Sequence, residues 1–448
     1  MTCNMETGDI ISQILSSFRL NITIKQEQKT IIDYILNKND VFAVLTTGFG
    51  KSLIYTLIPK IQDKITGREH TALVISPLIS LIKDQKDIME KYGLSVLSTT
   101  DSKPADLRSD LSIVFATPEA ATSTKWKVAL QEKTNISLIV FDEAHCISSW
   151  GIDFRPEYRN MASIQSLFDV PNLALTATST EYIQKDIFQV LSFDSEKVKV
   201  VANLPDRPNI FIDLRKSTEN YEIELAWLLD HLKEEGTNKH KIVVFVNSLN
   251  KCFQLYMWLT SNLMDNIFAN KVQSPTNRRI EMFHANTDSE TKERILMDFS
   301  GQDGSIELLI CTIAFGMGID VKNIDLVIHW GIPKSILHYW QEIGRCGRDN
   351  RKGYAVTYSY PRSLVSVDTE IKKLAETDKC LRLNILKNFQ LKGMDINQLS
   401  NLEHKQTCTK LCDKPCECDK CNCCIICKKM CSCSMNYTDS LQNFMKDI

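Results

Sequence analysis

Short apolar runs recur along most of this chain, with amphipathic stretches between them. Val41–Leu45, Ala72–Ser76, Ser112–Ala116, Ser137–Phe141 and Leu173–Thr176 are too continuously apolar for half-exposed strands and suit strands buried on both faces. Between them, stretches such as Ser52–Ile65 and Leu78–Tyr92 repeat apolar residues at helical spacing. That alternation predicts a doubly wound parallel sheet. The pattern pauses at the turn-rich Pro205-Asp206-Arg207-Pro208-Asn209 and at a charged stretch near Lys233–Lys241. It resumes with Ile242–Val246, Ile280–His284, Glu307–Cys311, Asp325–His329 and Tyr354–Tyr358. Two consecutive α/β units are therefore expected, with their boundary in 205–240. Past Ser363 the strand pattern stops, a helical segment runs through Cys380–Leu391, and a cysteine-dense stretch follows.

Composition narrows the picture. The 448 residues carry 53 Lys+Arg against 55 Asp+Glu, a formal charge of −2. A uniformly basic nucleic-acid coat is excluded, so a polyanion site must be a local basic groove. No apolar run approaches the ~18–20 residues of a membrane span. The start, Met1-Thr2-Cys3-Asn4-Met5-Glu6, lacks the flank and apolar core of a secretory signal. A soluble, intracellular chain is expected. Of the 16 cysteines, ten fall within 408–433. In a reducing compartment that density points to metal ligands rather than disulfides.

Two segments carry nucleotide chemistry. Thr46-Thr47-Gly48-Phe49-Gly50-Lys51-Ser52 follows one predicted strand and opens a predicted helix. Its glycines let backbone N–H groups face phosphate, and the helix start adds its positive dipole end. Lys51 suits the β- and γ-phosphates, and the Ser52 hydroxyl suits Mg²⁺. Leu45 stands where the common pattern has a glycine. The strand Leu138–Phe141 ends in Asp142-Glu143-Ala144-His145, setting two carboxylates at the carboxyl end of the sheet. Asp142 suits Mg²⁺, and Glu143 suits activation of the water that attacks the γ-phosphate.

These motifs, with further segments over roughly 18–425, resemble the RecQ group of superfamily-two DEAH-box DNA helicases. The most discriminating stretch is His145-Cys146-Ile147-Ser148-Ser149-Trp150-Gly151-Ile152-Asp153-Phe154-Arg155-Pro156-Glu157-Tyr158, similar to that family's aromatic-rich loop. Trp150 and Phe154 offer faces for base stacking, and Arg155 adds charge, so the resemblance makes them DNA-sensing residues. It also implies that Gln28 reads the adenine edge and that Ser76 and Pro77 open a strand-contacting segment. Thr47, Gly48, Phe49 and Gly50 would line the nucleotide, as would Gly318 and Asp320 of Leu309–Asp320, similar to the motif linking ATP to the tracked strand. Gln341–Asp349 resembles the arginine-finger motif, with Arg345 and Arg348 as the catalytic pair, and Cys346 in place of its usual alanine. Ala174–Thr178 is similar to the segment coupling hydrolysis to movement. Ile24-Lys25-Gln26-Glu27-Gln28 departs from the family's Phe-Arg-Pro-x-Gln, and Asp320-Val321-Lys322 from its Asp-Lys-Pro.

The resemblance further implies a helical zinc-binding module after the second α/β unit. Four thiolates suit tetrahedral Zn²⁺. Cys380, Cys408, Cys412 and Cys416 are the favoured set. Spacing alone leaves the four open, since Cys418, Cys421, Cys424 and Cys427 continue the pattern, and it leaves room for a second ion. The expected fold is α/β: a RecA-like domain over 1–205, a second over 206–362, a helical cysteine-rich module over 363–433 and a tail over 434–448. Only 15 residues follow Cys433, so winged-helix and terminal helical domains are not expected, and single-strand translocation follows more securely than unwinding. The function implied is an ATP- and Mg²⁺-dependent 3′→5′ DNA helicase acting on single-stranded and tailed duplex DNA in recombination and repair. Its expected location is the nucleus, with the cytoplasm as second compartment. The competing readings are an RNA helicase or double-strand translocase and, from another class, a nucleotide-dead DNA- or metal-binding adaptor.

Overall fold

The computed structural model describes residues 7–149, 156–234, 240–301, 304–316, 321, 323–349, 351–395, 397–405, 420–431 and 440–447. These residues divide into two compact units. One holds those of Met1–Pro205 and Phe389–Gln398, the other those of Asp206–Asn388 and Leu399–Ile448. Among them, no helix is long and apolar enough to cross a membrane.

The first unit contains β1 (Val41–Val44), β2 (Thr71–Ile75), β3 (Val96–Ser98), β4 (Ile113–Ala116), β5 (Ile136–Phe141), β6 (Asn172–Thr176) and β7 (Lys199–Ala202). They form one parallel sheet in the order β3-β4-β2-β5-β6-β1-β7. Side chains alternate across the sheet. Val41, Ala43, Val74, Phe115, Val140 and Leu173 pack with Ile31, Ile35, Ile54, Tyr55 and Ile58 of the helices Gln26–Leu36 and Lys51–Thr66. On the opposite face Phe42 meets Phe188 at 5.4 Å. The five expected strands are all present. Two more were not legible: β3 is only three residues long, and β7 is a half-buried edge of four residues. Edge β7 is covered by the segment 389–398. Gln398 accepts from Leu204 N at 2.8 Å and donates to Ala202 O at 3.2 Å, and Gln184 Nε2 donates to Lys392 O at 3.1 Å. Covering an edge in this way blocks its unpaired backbone groups from other chains.

The second unit contains β8 (Ile210–Lys216), β9 (Ile242–Val246), β10 (Ile280–Phe283), β11 (Leu308–Cys311), β12 (Leu326–Trp330) and β13 (Gly353–Ser359). Their parallel order is β10-β11-β9-β12-β13-β8. Here too an edge strand, β8, escaped the apolar pattern because Asp213 and Arg215 interrupt it. Asp213 is buried all the same, bound by Arg215 and by the Tyr354 hydroxyl at 2.7 Å. Past Ser359 the described residues form helices and turns, as expected. Leu441 and Phe444 of the helix Ser440–Asp447 pack onto this unit's core, with Phe444 5.2 Å from Tyr354.

Candidate nucleotide and metal sites

In the first unit the chain leaves β1, turns through Thr46–Gly50 and enters the 16-residue helix Lys51–Thr66. Gly48 and Gly50 have φ of +77° and +84°, a region that L side chains rarely adopt. A Cβ on Gly50 would also come within 2.8 Å of Gln28 Nε2. No side chain caps the helix start, which leaves its first N–H groups facing the loop. Thr47, Gly48 and Gly50 are exposed, Phe49 and Ser52 half-buried. Lys51 Nζ donates to Leu45 O at 3.2 Å, folded back over the cradle. Gln28 is buried and braces the loop from below: its amide donates to Phe49 O at 3.0 Å and Gly50 O at 3.1 Å, while its carbonyl accepts from Lys25 N at 2.8 Å. Lys25 stands in place of the family's arginine and lies over the Phe49 ring at 3.9 Å.

The acidic pair sits at the end of β5. Asp142 is 7% exposed, and its backbone N–H bonds Ile75 O of β2 at 2.9 Å. Burial, then the charge of Glu143, pushes its carboxyl up to about 7, against the pull of Lys51. Glu143 has φ +48°, which swings the chain off the strand line. His145 Nδ1 lies 3.3 Å from the Glu143 carboxylate and 3.0 Å from Thr176 Oγ1, while the Thr176 hydroxyl donates to Thr178 O at 3.0 Å. The acidic loop and the Ala174–Thr178 segment are therefore bonded through one imidazole. Burial opposes charge on His145, but Cys146 and Glu143 outweigh it and raise its pKa to about 10.

Trp150, Phe154 and Arg155 lie outside the described residues. The segment that follows is tethered to the acidic pair: Tyr158 donates to Asp142 O at 2.5 Å, and Arg159 forms a two-pronged pair with Asp186 at 2.8 and 2.9 Å. Ser76 and Pro77 are buried, so the exposed part of their segment starts with Ile79 and Ser80.

In the second unit Arg345 and Arg348 follow the helix Ile336–Ile343. Arg345 is 5% exposed with its guanidinium 5.8 Å from the Phe315 ring, while Arg348 is half-buried. Behind them Glu342 pairs with buried His329 at 2.8 Å. Cys346 fills alanine's place in the interior, with its thiol pushed up to about 12, chiefly by burial. Gly318 and Asp320 lie outside the described residues.

Among the described residues the cysteine stretch yields one compact group. The sulfurs of Cys380, Cys423, Cys424 and Cys427 all lie within 4.8 Å of one another, and Cys380 and Cys423 are 3.5 Å apart. Zn–S bonds of ~2.3 Å in a tetrahedron put sulfurs ~3.8 Å apart, so the four can hold a metal ion. Hydrogen bonds among the four thiols pull the Cys380 pKa down and push those of Cys423 and Cys427 up. Cys380 thus joins a cluster whose other members differ from the favoured set; Cys408, Cys412 and Cys416 lie outside the described residues. Spacing missed Cys423 because it sits next to Cys424, where a regular Cys-x2-Cys reading has no place for it. Backbone geometry selects it: Ile212 N donates to Cys423 O at 3.4 Å, and Ile212 bridges to Cys424 along edge β8.

Two parallel sheets in one chain, the first opening on a glycine cradle and ending in an Asp-Glu pair, define the tandem RecA-like core of helicases. Residues 25–186 match the DEAD/DEAH box helicase family and 224–350 the helicase conserved C-terminal domain. A protein of Acanthamoeba polyphaga mimivirus, R290, carried under the provisional name of an ATP-dependent RNA helicase, is 31% identical over 82% of this chain and 66% of its own length. The ATP-dependent DNA helicase RecQ of Haemophilus influenzae is 29% identical over 87% of this chain and 58% of its own. Among solved structures, Saccharomyces cerevisiae Dbp5 bound to RNA and ADP BeF3 shares the fold with a TM-score of 0.58 at 15% identity, covering 85% of this chain and 92% of that one. The chain belongs to the RecQ family of DEAD/DEAH-box helicases. It spans between 24% and 66% of the length of the curated relatives it matches.

Proposed function

We propose that this chain carries an ATP-dependent DNA helicase motor of RecQ type, coupling hydrolysis to 3′→5′ movement on single-stranded DNA. Single strands and tailed duplexes are its substrates, in nuclear recombination and repair. Its working parts are the RecA-like segments 1–205 and 206–362 and the cysteine-rich module 363–433. The observation that carries the reading is the grouping of Lys51 with Asp142 and Glu143 beside an uncapped helix start.

Loop N–H groups from Thr47 to Gly50 and the Lys51 ammonium hold the phosphates, and Gln28 braces the cradle. Ser52 and Asp142 hold Mg²⁺, which when bound neutralises phosphate charge. Glu143 orients the attacking water and takes its proton. Arg345 and Arg348 stabilise charge developing on the γ-phosphate, a contribution worth ~10³–10⁵ in turnover. Gly318 and Asp320 complete the nucleotide side; Trp150, Phe154 and Arg155, with the exposed Ile79 and Ser80 that follow buried Ser76 and Pro77, form the strand-facing side. Tyr158 and His145 give strand contact a route to the carboxylates. Cys380, Cys423, Cys424 and Cys427 hold one structural zinc.

Strand displacement on 3′-tailed and 5′-tailed duplexes tests this, with ATPase stimulation by DNA and RNA measured alongside. Displacement of the 3′-tailed duplex and stronger stimulation by DNA are expected. Stronger stimulation by RNA would favour the second reading, an RNA motor, in keeping with the name of the mimivirus relative. No turnover with either polymer would reduce the chain to a binding module.

A further inference from the structure

The turn-rich stretch between the two strand patterns has no role in the chemistry above, yet its side chains are committed to the loop bearing the two arginines. Arg207 Nη1 donates to Gly344 O at 3.0 Å, and Nη2 donates to Cys346 O at 3.1 Å and to Gly347 O at 2.8 Å. Asn209 Nδ2 donates to the same Gly347 O at 2.8 Å and to Arg351 O at 2.7 Å. Gly347 has φ +61°, and a Cβ there would lie 2.6 Å from Asn209 Nδ2. Holding the carbonyls of 344, 346 and 347 fixes the backbone on both sides of Arg345 and directly before Arg348.

A second guanidinium seats the first. Arg382, 4% exposed, donates through Nη1 to Arg207 O at 2.7 Å and to Asp206 Oδ1 at 2.9 Å. Its Nη2 donates to Ile210 O and, at 3.3 Å, to Cys423 O. Hydrogen bonds thus run without a break from the cysteine cluster to the arginine loop. Burial pulls the Arg207 pKa below its ordinary value; Arg348 and Arg382 add to that pull, and Cys346 and Asp206 oppose it. A position needing only an ion pair would not be set between two other guanidinia.

We propose that Arg207 is a positioning residue for the Arg345–Arg348 turn, seated by Arg382 against the backbone of the cysteine cluster. The inference rests on the reading of Arg345 and Arg348 as γ-phosphate groups. Its physical basis is the planar fork of arginine, which reaches the three carbonyls from two separate nitrogens, where an ammonium would have to reach all of them from one.

Arg207→Lys keeps the charge and most of the stem but removes the fork. DNA-stimulated kcat should fall ~10-fold or more, a fraction of what an arginine finger contributes. KM for ATP and affinity for ADP should stay within ~2-fold of wild type, while affinity for ADP–aluminium fluoride falls with kcat, because only that complex resembles the transferring phosphoryl group. Unchanged kcat, or equal loss of ADP and ADP–aluminium fluoride binding, would overturn the proposal. If Arg207→Lys does not fold, Asn209→Ala provides the same comparison, with a smaller loss of kcat expected. Combining Arg207→Lys with Arg382→Lys should lower kcat by less than the product of the single effects; a full product would remove Arg382 from the proposal. Arg348→Ala is the control: if it leaves kcat intact, the fault lies in the reading of the arginines rather than in their positioning.

Discussion

The two units share a parallel-sheet plan and differ in how their sites treat polar groups. In the first, charge and hydroxyls are gathered without full compensation. Asp142 is pushed up to about 7 by burial and by Glu143, and the buried Tyr55 hydroxyl and Ser76 Oγ have no hydrogen-bond partner among the described residues. In the second, the carbonyls of Gly344, Cys346 and Gly347 are taken up by Arg207 and Asn209, and the buried His329–Glu342 pair supports the helix before them. On the proposed reading, an acidic pocket of this kind suits a cation, and a turn with three of its carbonyls held suits keeping its own cations in place. On that reading, ligand capture belongs to the first unit and ligand-independent geometry to the second.

The largest expected effect breaks the first side of the comparison. Lys51→Ala should cut DNA-stimulated ATPase by ~10³-fold or more, since on the proposed reading the ammonium serves both phosphate binding and charge stabilisation. It should leave the melting temperature nearly unchanged, because the side chain's hydrogen bond is to one carbonyl, Leu45 O. Steady-state turnover with thermal melting checks both halves, and undiminished turnover would remove the nucleotide site.

A second test uses pH. The Asp142 carboxyl is raised to about 7, so below that pH it carries a proton that Mg²⁺ must displace. The Mg²⁺ concentration for half-maximal ATPase should therefore rise ~10-fold per unit as pH falls below 7 and level off above it. Mg²⁺ titrations from pH 5.5 to 8.5 read this directly; a flat requirement would mean that Asp142 is already ionised.

The smallest effect sharpens the contrast with two matched substitutions. Tyr55→Phe removes a hydroxyl with no partner and should change stability by less than ~0.5 kcal/mol, or raise it. Tyr354→Phe removes a donor to buried Asp213, and leaving that carboxylate short of a bond should cost ~1–3 kcal/mol. Equal losses by chemical denaturation would show that the two units handle buried hydroxyls alike.

Much of this was legible along the chain. Continuous apolar runs marked every central strand, and the glycine loop and Asp-Glu pair declared themselves because each is local: a strand end, a turn and a helix start are contiguous in sequence. Edge strands were harder to read. β8 interleaves Asp213 and Arg215 with apolar residues, and its partners lie about 140 positions away in β13. Gln28 was expected to face a nucleotide; its amide here braces the carbonyls of Phe49 and Gly50, a contact that no spacing rule encodes.

By itself, the order of residues determined the two parallel sheets, the glycine turn before the first long helix and the family, because periodicity and short motifs are properties of neighbouring positions. Tertiary structure decided which sulfurs join Cys380, and that Arg207 and Arg382 serve the arginine loop. Those choices depend on where β8, the helix after Cys380 and the 344–347 turn converge, and hydrogen-bond and metal-ligand geometry exist only once distant segments have been brought within a few ångströms of one another.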